Sequence, residues 1–267
     1  MTGPVGNKFV FTSSDDALKS HQFKPIIYIF GERSIFEVHD ARHKLVRGAI
    51  TGFLWPESLQ RSIPLMSSLV KQYLVKEVEG KESVIGLIML KRIAFMVSCA
   101  LLFSLTNDEE TDTLFDEFSL LVKGLWAIPI YLPFTIHYRA IAARRRIYDR
   151  FSTILDERRQ RLEDGSVNPN DDVFATMLSI RDEEGRALPR QEIIDNLITI
   201  VFASHDTSMS LNASFVRRLA MDEVTLERVY EGCVKIGYTL DRIRVIVGIY
   251  LRLTHDNLSH MYNILKM

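Results

Sequence analysis

The stretch Ile198-Thr-Ile-Val-Phe-Ala-Ser-His-Asp-Thr-Ser-Met-Ser-Leu211 decides the fold, because it places an acid, Asp206, beside an alcohol, Thr207, inside an apolar helical pattern. Pro189 is typical of the first position of a helix, and it predicts one long helix that continues through the stretch. Polar groups within an apolar helix are costly unless they find hydrogen-bond partners. Two interpretations follow: Asp206 or Ser204 caps a new helix, or the acid and the alcohol carry chemistry.

Outward from this stretch, apolar residues recur at helical spacing over most of the chain, which predicts a mainly α fold with little β. Two segments near the start differ. Residues 3–11 predict a turn and a short strand, and residues 21–38 mix Pro, Gly and aromatic residues as a loop does. The predicted helices cover residues 40–53, 56–79, 83–105, 108–122, 137–163 and 171–180; a long one runs from 189 past 212, and a last one begins near residue 222.

The composition excludes several classes of protein. With 47% hydrophobic and 25% charged residues, the 267-residue chain is typical of a globular protein and not of a disordered one. A formal net charge of −1 argues against a nucleic-acid partner, which would require a basic face. The basic run Arg144-Arg-Arg146 is followed by acids on the same predicted helix, so we interpret it as a solvated helix face. Two cysteines cannot form a disulfide framework.

No segment predicts a membrane anchor or a leader. The uncharged apolar run 93–105 is shorter than the roughly 20 residues that a membrane-spanning helix needs, so a buried core helix is the better interpretation. The apolar segment 124–134 contains Pro129 and Pro133, which would interrupt a spanning helix. The first six residues lack the basic and then apolar order of a signal peptide.

The run Phe202-Ala-Ser-His-Asp-Thr207 is similar to the Ala/Gly-Gly-x-Asp/Glu-Thr signature in the long I helix of cytochromes P-450, with Ser204 where many members have Gly. The resemblance implies that Asp206 and Thr207 are catalytic, through proton delivery and oxygen activation. It also implies that Ala203 leaves room over the haem, and that Phe202 and Ala203 face substrate or dioxygen. In the family, small residues and a helix irregularity form this groove.

Other segments occur in the order that this family has. Residues 3–11 resemble the strand entering the B helix in the plant branch that oxidises triterpenes, sterols and related isoprenoids. His43-Lys-Leu-Val-Arg47 matches the C-helix pattern Trp/His-x-x-x-Arg, which implies that His43 and Arg47 contact the haem propionates. The further matching segments are the apolar F–G connection at 124–134, the approach to the I helix at 171–197 and the J helix at 219–231.

The resemblance covers residues 1–233, a partial cytochrome P-450 domain from the B helix through the J helix, and leaves 234–267 as a tail without family resemblance. The family's haem ligand is a Cys in a Phe-x-x-Gly-x-Arg-x-Cys-x-Gly loop, and neither Cys99 nor Cys233 fits that loop. The K-helix Glu-x-x-Arg is also missing, since its one string match begins at Glu183 in a predicted loop. His spacing predicts no metal site made by the chain itself.

By resemblance, the function is that of a haem-thiolate monooxygenase that hydroxylates an apolar isoprenoid-like substrate with dioxygen. Haem is the implied cofactor, with electrons from NADPH through a flavoprotein reductase. The implied place is the cytosolic face of the endoplasmic reticulum membrane, whereas this chain, with no predicted anchor, is expected to be soluble or to aggregate. Since the chain lacks the thiolate loop, we expect it to be inactive as it stands. The alternative is a non-catalytic helical fragment that binds a ligand or a partner.

Overall fold

In a computed structural model, the structure describes residues 3–13, 17–18, 21–81 and 84–235. These residues form ten helices, and their only β feature is an isolated bridge between Arg181 and Ala187. The mainly α prediction is therefore confirmed. The helices are α1 Gly3–Thr12, α2 Lys24–Phe30, α3 Asp40–Phe53, α4 Pro56–Val78, α5 Gly86–Phe103, α6 Asp108–Leu125, α7 Ile136–Glu163, α8 Val173–Ser179, α9 Arg190–Met221 and α10 Glu223–Lys235.

Helix boundaries follow the capping residues in the sequence. The side chains of Asn107, Thr135 and Asp172 accept hydrogen bonds from the backbone amides that open α6, α7 and α8. The first turn of α6 also carries three acids, whose negative charges interact favourably with the positive end of the helix dipole. Most of the predicted helix boundaries consequently agree with the structure to within a few residues. The predicted tail, residues 234–267, lies almost entirely outside the described residues.

Two predictions near the start of the chain are wrong. The predicted turn and strand at residues 3–11 form the helix α1, in which no residue is buried. A strand needs a neighbouring strand for its backbone hydrogen bonds, whereas a helix satisfies them within itself, and no strand occurs in the described part of the chain. The predicted loop at 21–38 contains the seven-residue helix α2, which Pro25 opens and whose Ile29 and Phe30 are buried.

The chain divides into two compact units, and the first comprises Met1–Arg61 and Leu102–Phe202. Its core is built on the pairing of α6 with α7, to which α2 and α8 add. Four phenylalanines meet there edge to face or tilted, with ring centroids 5.0 to 6.1 Å apart, an arrangement that favours aromatic pairs. These are Phe103, Phe118, Phe151 and Phe174.

The second unit comprises Ser62–Leu101 and Ala203–Met267. Its described core is formed by one face of α4 and one face of α5, with Leu69, Tyr73, Met89, Ile93, Met96, Val97 and Ala100 buried. By length and composition α5 could also cross a membrane, but half of its apolar window is buried inside the protein. The core-helix interpretation of this apolar run therefore agrees with the packing.

Candidate active site

The acid and the alcohol lie in the middle of α9, which is continuous from Arg190 to Met221. The interpretation of Asp206 or Ser204 as the cap of a new helix is therefore wrong, because both lie well inside one helix. The helix is also regular α throughout, so the irregularity implied by the resemblance is not seen. On α9 the continuous run of buried residues ends at Val201; beyond it His205 is buried, whereas Ala203 and Thr207 are exposed.

Thr207 and Ala203 are joined by a hydrogen bond within α9. The Thr207 hydroxyl donates to the Ala203 carbonyl oxygen, four residues earlier, at 2.7 Å. A hydroxyl that donates one hydrogen bond keeps two lone pairs for accepting others. Since residues three or four apart share a helix face, the methyl group of Ala203 and the hydroxyl of Thr207 lie on one exposed stripe of α9.

The Asp206 carboxylate points to different partners. Its Oδ1 lies 3.2 Å from the Lys91 ammonium nitrogen of α5 and 3.4 Å from Nε2 of His205. The His205 ring is fully buried and packs edge to face on Phe95, with ring centroids 5.3 Å apart. The partly exposed carboxylate of Asp206 is thus held beside the ammonium group of Lys91.

Sequence reasoning missed Lys91, although a signal was present. Lys91 and Arg92 are the two charged residues in α5, which is otherwise apolar or small and uncharged. A charge in an apolar helix needs a partner, and the acid in the apolar stretch of α9 needs one too. Lys91 and Asp206 are these partners, and their ion pair lies within the second unit.

Phe202 is the last residue of the first unit, and its side chain is half-buried. Its ring packs against Phe30 of α2, with centroids 4.9 Å apart. Phe30 in turn packs edge to face on Phe36 at 5.3 Å. The apolar surface that Phe202 still exposes is thus the edge of an aromatic cluster, a setting suited to an apolar ligand.

The predicted propionate contacts, His43 and Arg47, lie one turn apart on α3 in the first unit. The His43 side chain is half-buried and that of Arg47 is exposed. Within the described residues, neither side chain has an ion-pair or hydrogen-bond partner of its own. A guanidinium and an imidazole on one helix face can therefore meet an anionic ligand, and the arrangement fits a haem propionate.

Neither cysteine matches the thiolate ligand that the family uses for the haem iron. Cys99 is buried inside α5, where it behaves as a core residue. Cys233 belongs to α10, and the residues around it do not follow the ligand loop of the family. Among residues 3–235 as described, no cluster of three His, Cys, Asp or Glu side chains could hold a metal ion. The described part of the chain therefore offers no thiolate ligand for a haem iron.

The basic run on α7 is not simply a solvated face, as the sequence had suggested. Arg144 is largely buried and pairs with the fully buried Asp195 of α9, and its Nε donates to the Ile29 carbonyl at 3.0 Å. Arg146 makes two hydrogen bonds of 2.7 Å to the Glu117 carboxylate. These arginines form structural ion pairs with acids of α9 and α6.

A cavity of about 400 Å³ lies beside α6 and α7, far along the chain from the candidate residues. Glu110 and Glu117 line it, together with their ion-pair partners Arg150 and Arg146. Two ion pairs thus lie in this groove, and they do not suit the binding of a hydrocarbon substrate.

Comparison with known proteins identifies relatives of the chain. The family model for cytochrome P-450 matches residues 6–236. The chain is 26% identical over 231 residues to a taxoid 14-beta-hydroxylase of Taxus cuspidata, covering 86% of this chain and 45% of the relative. It is 28% identical over 235 residues to a beta-amyrin 28-monooxygenase of Solanum lycopersicum, covering 88% and 49% respectively. The chain thus spans about half the length of the curated relatives it matches.

Solved structures give the same fold. A cyanobacterial CYP120A1 with retinoic acid bound superimposes with a TM-score of 0.79 at 24% identity, covering 92% of this chain and 55% of that one. CYP268A2 of Mycobacterium marinum in complex with pseudoionone gives a TM-score of 0.62 at 14% identity, covering 80% and 48%. At these identities the likeness supports the fold alone.

Proposed function

Because this chain belongs to the cytochrome P-450 family, we propose that it forms the central helical part of a haem-thiolate monooxygenase acting on an apolar isoprenoid-like substrate. The observation that carries the proposal is the relationship of residues 6–236 to taxoid and beta-amyrin hydroxylases. When bound, haem would supply the redox chemistry that activates dioxygen. The polypeptide's part is to orient, to exclude water and to move protons.

Thr207 and Asp206 are the proposed catalytic residues. The Thr207 hydroxyl donates to Ala203 and is free to accept at its remaining lone pairs, so it can hold a water molecule or another donor on the exposed stripe. The Asp206 carboxylate, held by Lys91, would take a proton from solvent and release it toward that stripe. In this proposal Asp206 takes up and releases the proton, and Thr207 holds the water molecule or other donor beside it.

His43 and Arg47 are the proposed contacts to the haem propionates. Arg47 is always charged and offers a planar fork of donors that matches a carboxylate. Its exposure, without an ion-pair partner in the described residues, leaves that fork available. Ala203 would lie over the haem, because its single methyl group leaves space on α9. Phe202 and Ala203 would face substrate or dioxygen, with the Phe30 ring behind Phe202.

The segment between α6 and α7 supports a location at a membrane surface. Trp126 is 89% exposed and Phe134 94% exposed, and Ile128, Tyr131 and Leu132 between them are also exposed. A contiguous apolar patch of this kind marks an interaction with lipid or with another protein. We propose the cytosolic face of the endoplasmic reticulum membrane, with electrons supplied from NADPH by a flavoprotein reductase.

We also propose that the chain, as its sequence stands, has no monooxygenase activity, because no described cysteine offers the thiolate. The second candidate function is a non-catalytic helical fragment that binds an apolar ligand or a partner, and the exposed apolar side chains favour it. Translation of the downstream DNA in all frames separates the two. A Cys-loop sequence there supports the enzyme, and its absence supports the fragment.

Haemin titration of the purified chain, followed by Soret absorbance, tests the proposed haem site. Arg47→Ala should weaken haemin affinity by about tenfold or more, since a hydrogen bond to a charged group contributes roughly 1.5–3 kcal/mol. Lys44→Ala is the matched control, because it removes an exposed cation from the same helix. Equal losses for the two variants, or none for Arg47→Ala, would refute the propionate assignment.

A further inference from the structure

Three polar side chains, Glu192, Asp195 and Asn196, share one face of α9 in its first two turns and are all buried. We call this set the α9 clamp. Its residues lie in the first unit together with the segments that they contact. Buried polar and charged groups are expensive unless each is hydrogen-bonded or paired, so two acids and an amide on one buried face need an explanation.

The clamp holds the backbone of the loop that precedes α3. Asn196 accepts a hydrogen bond from the Ile35 amide at 2.7 Å and donates to the Arg33 carbonyl at 3.1 Å. Asp195 accepts from the Arg33 amide at 3.3 Å. The Asp195 carboxyl group also lies against Gly31, where any Cβ would overlap with it. The loop therefore fits only with glycine at that position.

The clamp also holds α3 itself. The Glu192 carboxylate, 2% exposed, accepts two hydrogen bonds from Arg42, at 2.6 Å from Nε and 2.8 Å from Nη2. This bidentate geometry fixes both the position and the rotation of the guanidinium. Hydrogen bonding to Glu192 raises the pKa of Arg42, although burial opposes that rise, so the guanidinium stays charged.

Apolar packing by itself holds α3 weakly, because Val46 is the one residue of this helix that is buried. Arg42 and Val46 are four residues apart and so face the same way, toward the interior. His43 and Arg47 form the neighbouring stripe, one residue further round the helix. The rotation that Arg42 takes against Glu192 consequently sets the direction in which His43 and Arg47 point.

We propose that Glu192 is a positioning residue for the anion-binding pair His43 and Arg47, acting through Arg42 and the rotation of α3. The identity of the anion, a haem propionate, rests on the proposed function. The mechanical link between α9 and α3 is independent of that function, so the link and the function can fail separately.

The first arm of the test is hydrogen exchange by mass spectrometry on the full chain, without haemin. Glu192→Gln should speed exchange of the α3 amides, residues 40–53, by roughly tenfold, because local opening there no longer breaks a buried ion pair. Exchange in α6 and α7 should stay unchanged. Glu117→Gln is the matched control, since it removes an equally bidentate partner, that of Arg146, elsewhere in the same unit.

The second arm is haemin titration of Glu192→Gln, Arg47→Ala and the double variant. Glu192→Gln should weaken haemin affinity several-fold, and this loss should disappear when Arg47 is already alanine. A merely structural role would instead give losses that add. Arg42→Lys, which keeps the charge but loses the fork, should show a smaller effect of the same kind in both arms.

The outcomes separate the two claims. Unchanged α3 exchange in Glu192→Gln, or a uniform rise over the whole chain, would overturn the positioning role. Faster α3 exchange with additive haemin losses would overturn it while leaving the proposed haem site standing. If Arg47→Ala itself has no effect on haemin binding, the proposed propionate contact fails, and the exchange arm still decides whether Glu192 positions α3.

Discussion

Single residues in this chain are constrained most strongly where a charge is buried. Asp195 is fully buried, and burial raises the pKa of its carboxyl group, although Arg144, the Arg33 amide and Gln191 oppose that rise. Asp156 is the reverse case, because its exposed carboxylate is hydrogen-bonded to Arg190, which lowers its pKa. The two aspartates should therefore respond to pH with opposite signs.

Asp195→Asn provides a test at low pH. A raised folded-state pKa means that the native chain takes up this proton before the unfolded chain does. The stability that Asp195 contributes is thus greatest below its unfolded pKa of about 3.9 and is lost as the pH rises through the folded value. Compared with Asp195→Asn, the native protein should gain stability in urea unfolding as the pH falls from 7 to 4.

Asp156→Asn is the control for this experiment. Its folded-state pKa is lowered, so its contribution is present at neutral pH and is lost as the pH falls below the unfolded value. The stability difference between the native protein and Asp156→Asn should therefore shrink on acidification. Parallel pH curves for the two variants would contradict the assignment of burial as the dominant influence on Asp195.

The sequence singled out one class of residue and missed another. Asp206 and Thr207 were recognisable in the sequence, because an adjacent acid and alcohol are unusual within an apolar helical pattern. Their roles, like those of His43, Arg47, Phe202 and Ala203, remain predictions. Lys91 and Glu192 were missed because each owes its significance to a partner distant in sequence, Asp206 and Arg42. A pattern of spacing within one helix carries no information about such pairs.

At the scale of elements, the helices with apolar periodicity and capping residues were predictable. The bounds of α3, residues 40–53, coincide with the prediction, although no side chain caps its start. Residues 3–11 failed because their Phe-Val-Phe run favours a strand, whereas a strand forms only with a partner. The seven-residue α2 is too short for a periodic pattern and depends on the burial of Ile29 and Phe30.

The pairing of α6 with α7 depends on one glycine. A Cβ on Gly124 would overlap with the Cβ of Ala140 on α7 and would lie 3.1 Å from Ile29. Gly124→Ala should therefore separate the two helices and lower the free energy of unfolding by about 1–3 kcal/mol. Gly48→Ala on α3, where a Cβ meets open space, should instead raise stability by about 0.5–1 kcal/mol. Urea unfolding of both variants checks the prediction, and a Gly124→Ala protein as stable as the native one would refute it.

For the whole molecule, the mainly α class and the family followed from the order of the segments along the chain. The family model matches residues 6–236, close to the extent of the predicted resemblance. The domain boundary itself stays a prediction. The many exposed large apolar side chains, including Leu211, Phe215 and Met221 on α9, agree with the expectation that the chain tends to self-associate. Substrate identity could not be predicted, because pocket shape depends on how distant segments meet.

The reduced carbon monoxide difference spectrum of the haemin-loaded full chain tests the central claim most directly. The proposal is that this polypeptide contributes side chains to the propionate and oxygen sides of a cytochrome P-450 site, and that neither Cys99 nor Cys233 serves as the thiolate ligand. The account predicts a haem Soret band that weakens with Arg47→Ala and that stays away from the thiolate position under carbon monoxide. A thiolate-type band, or no Soret band beyond that of free haemin, would contradict it.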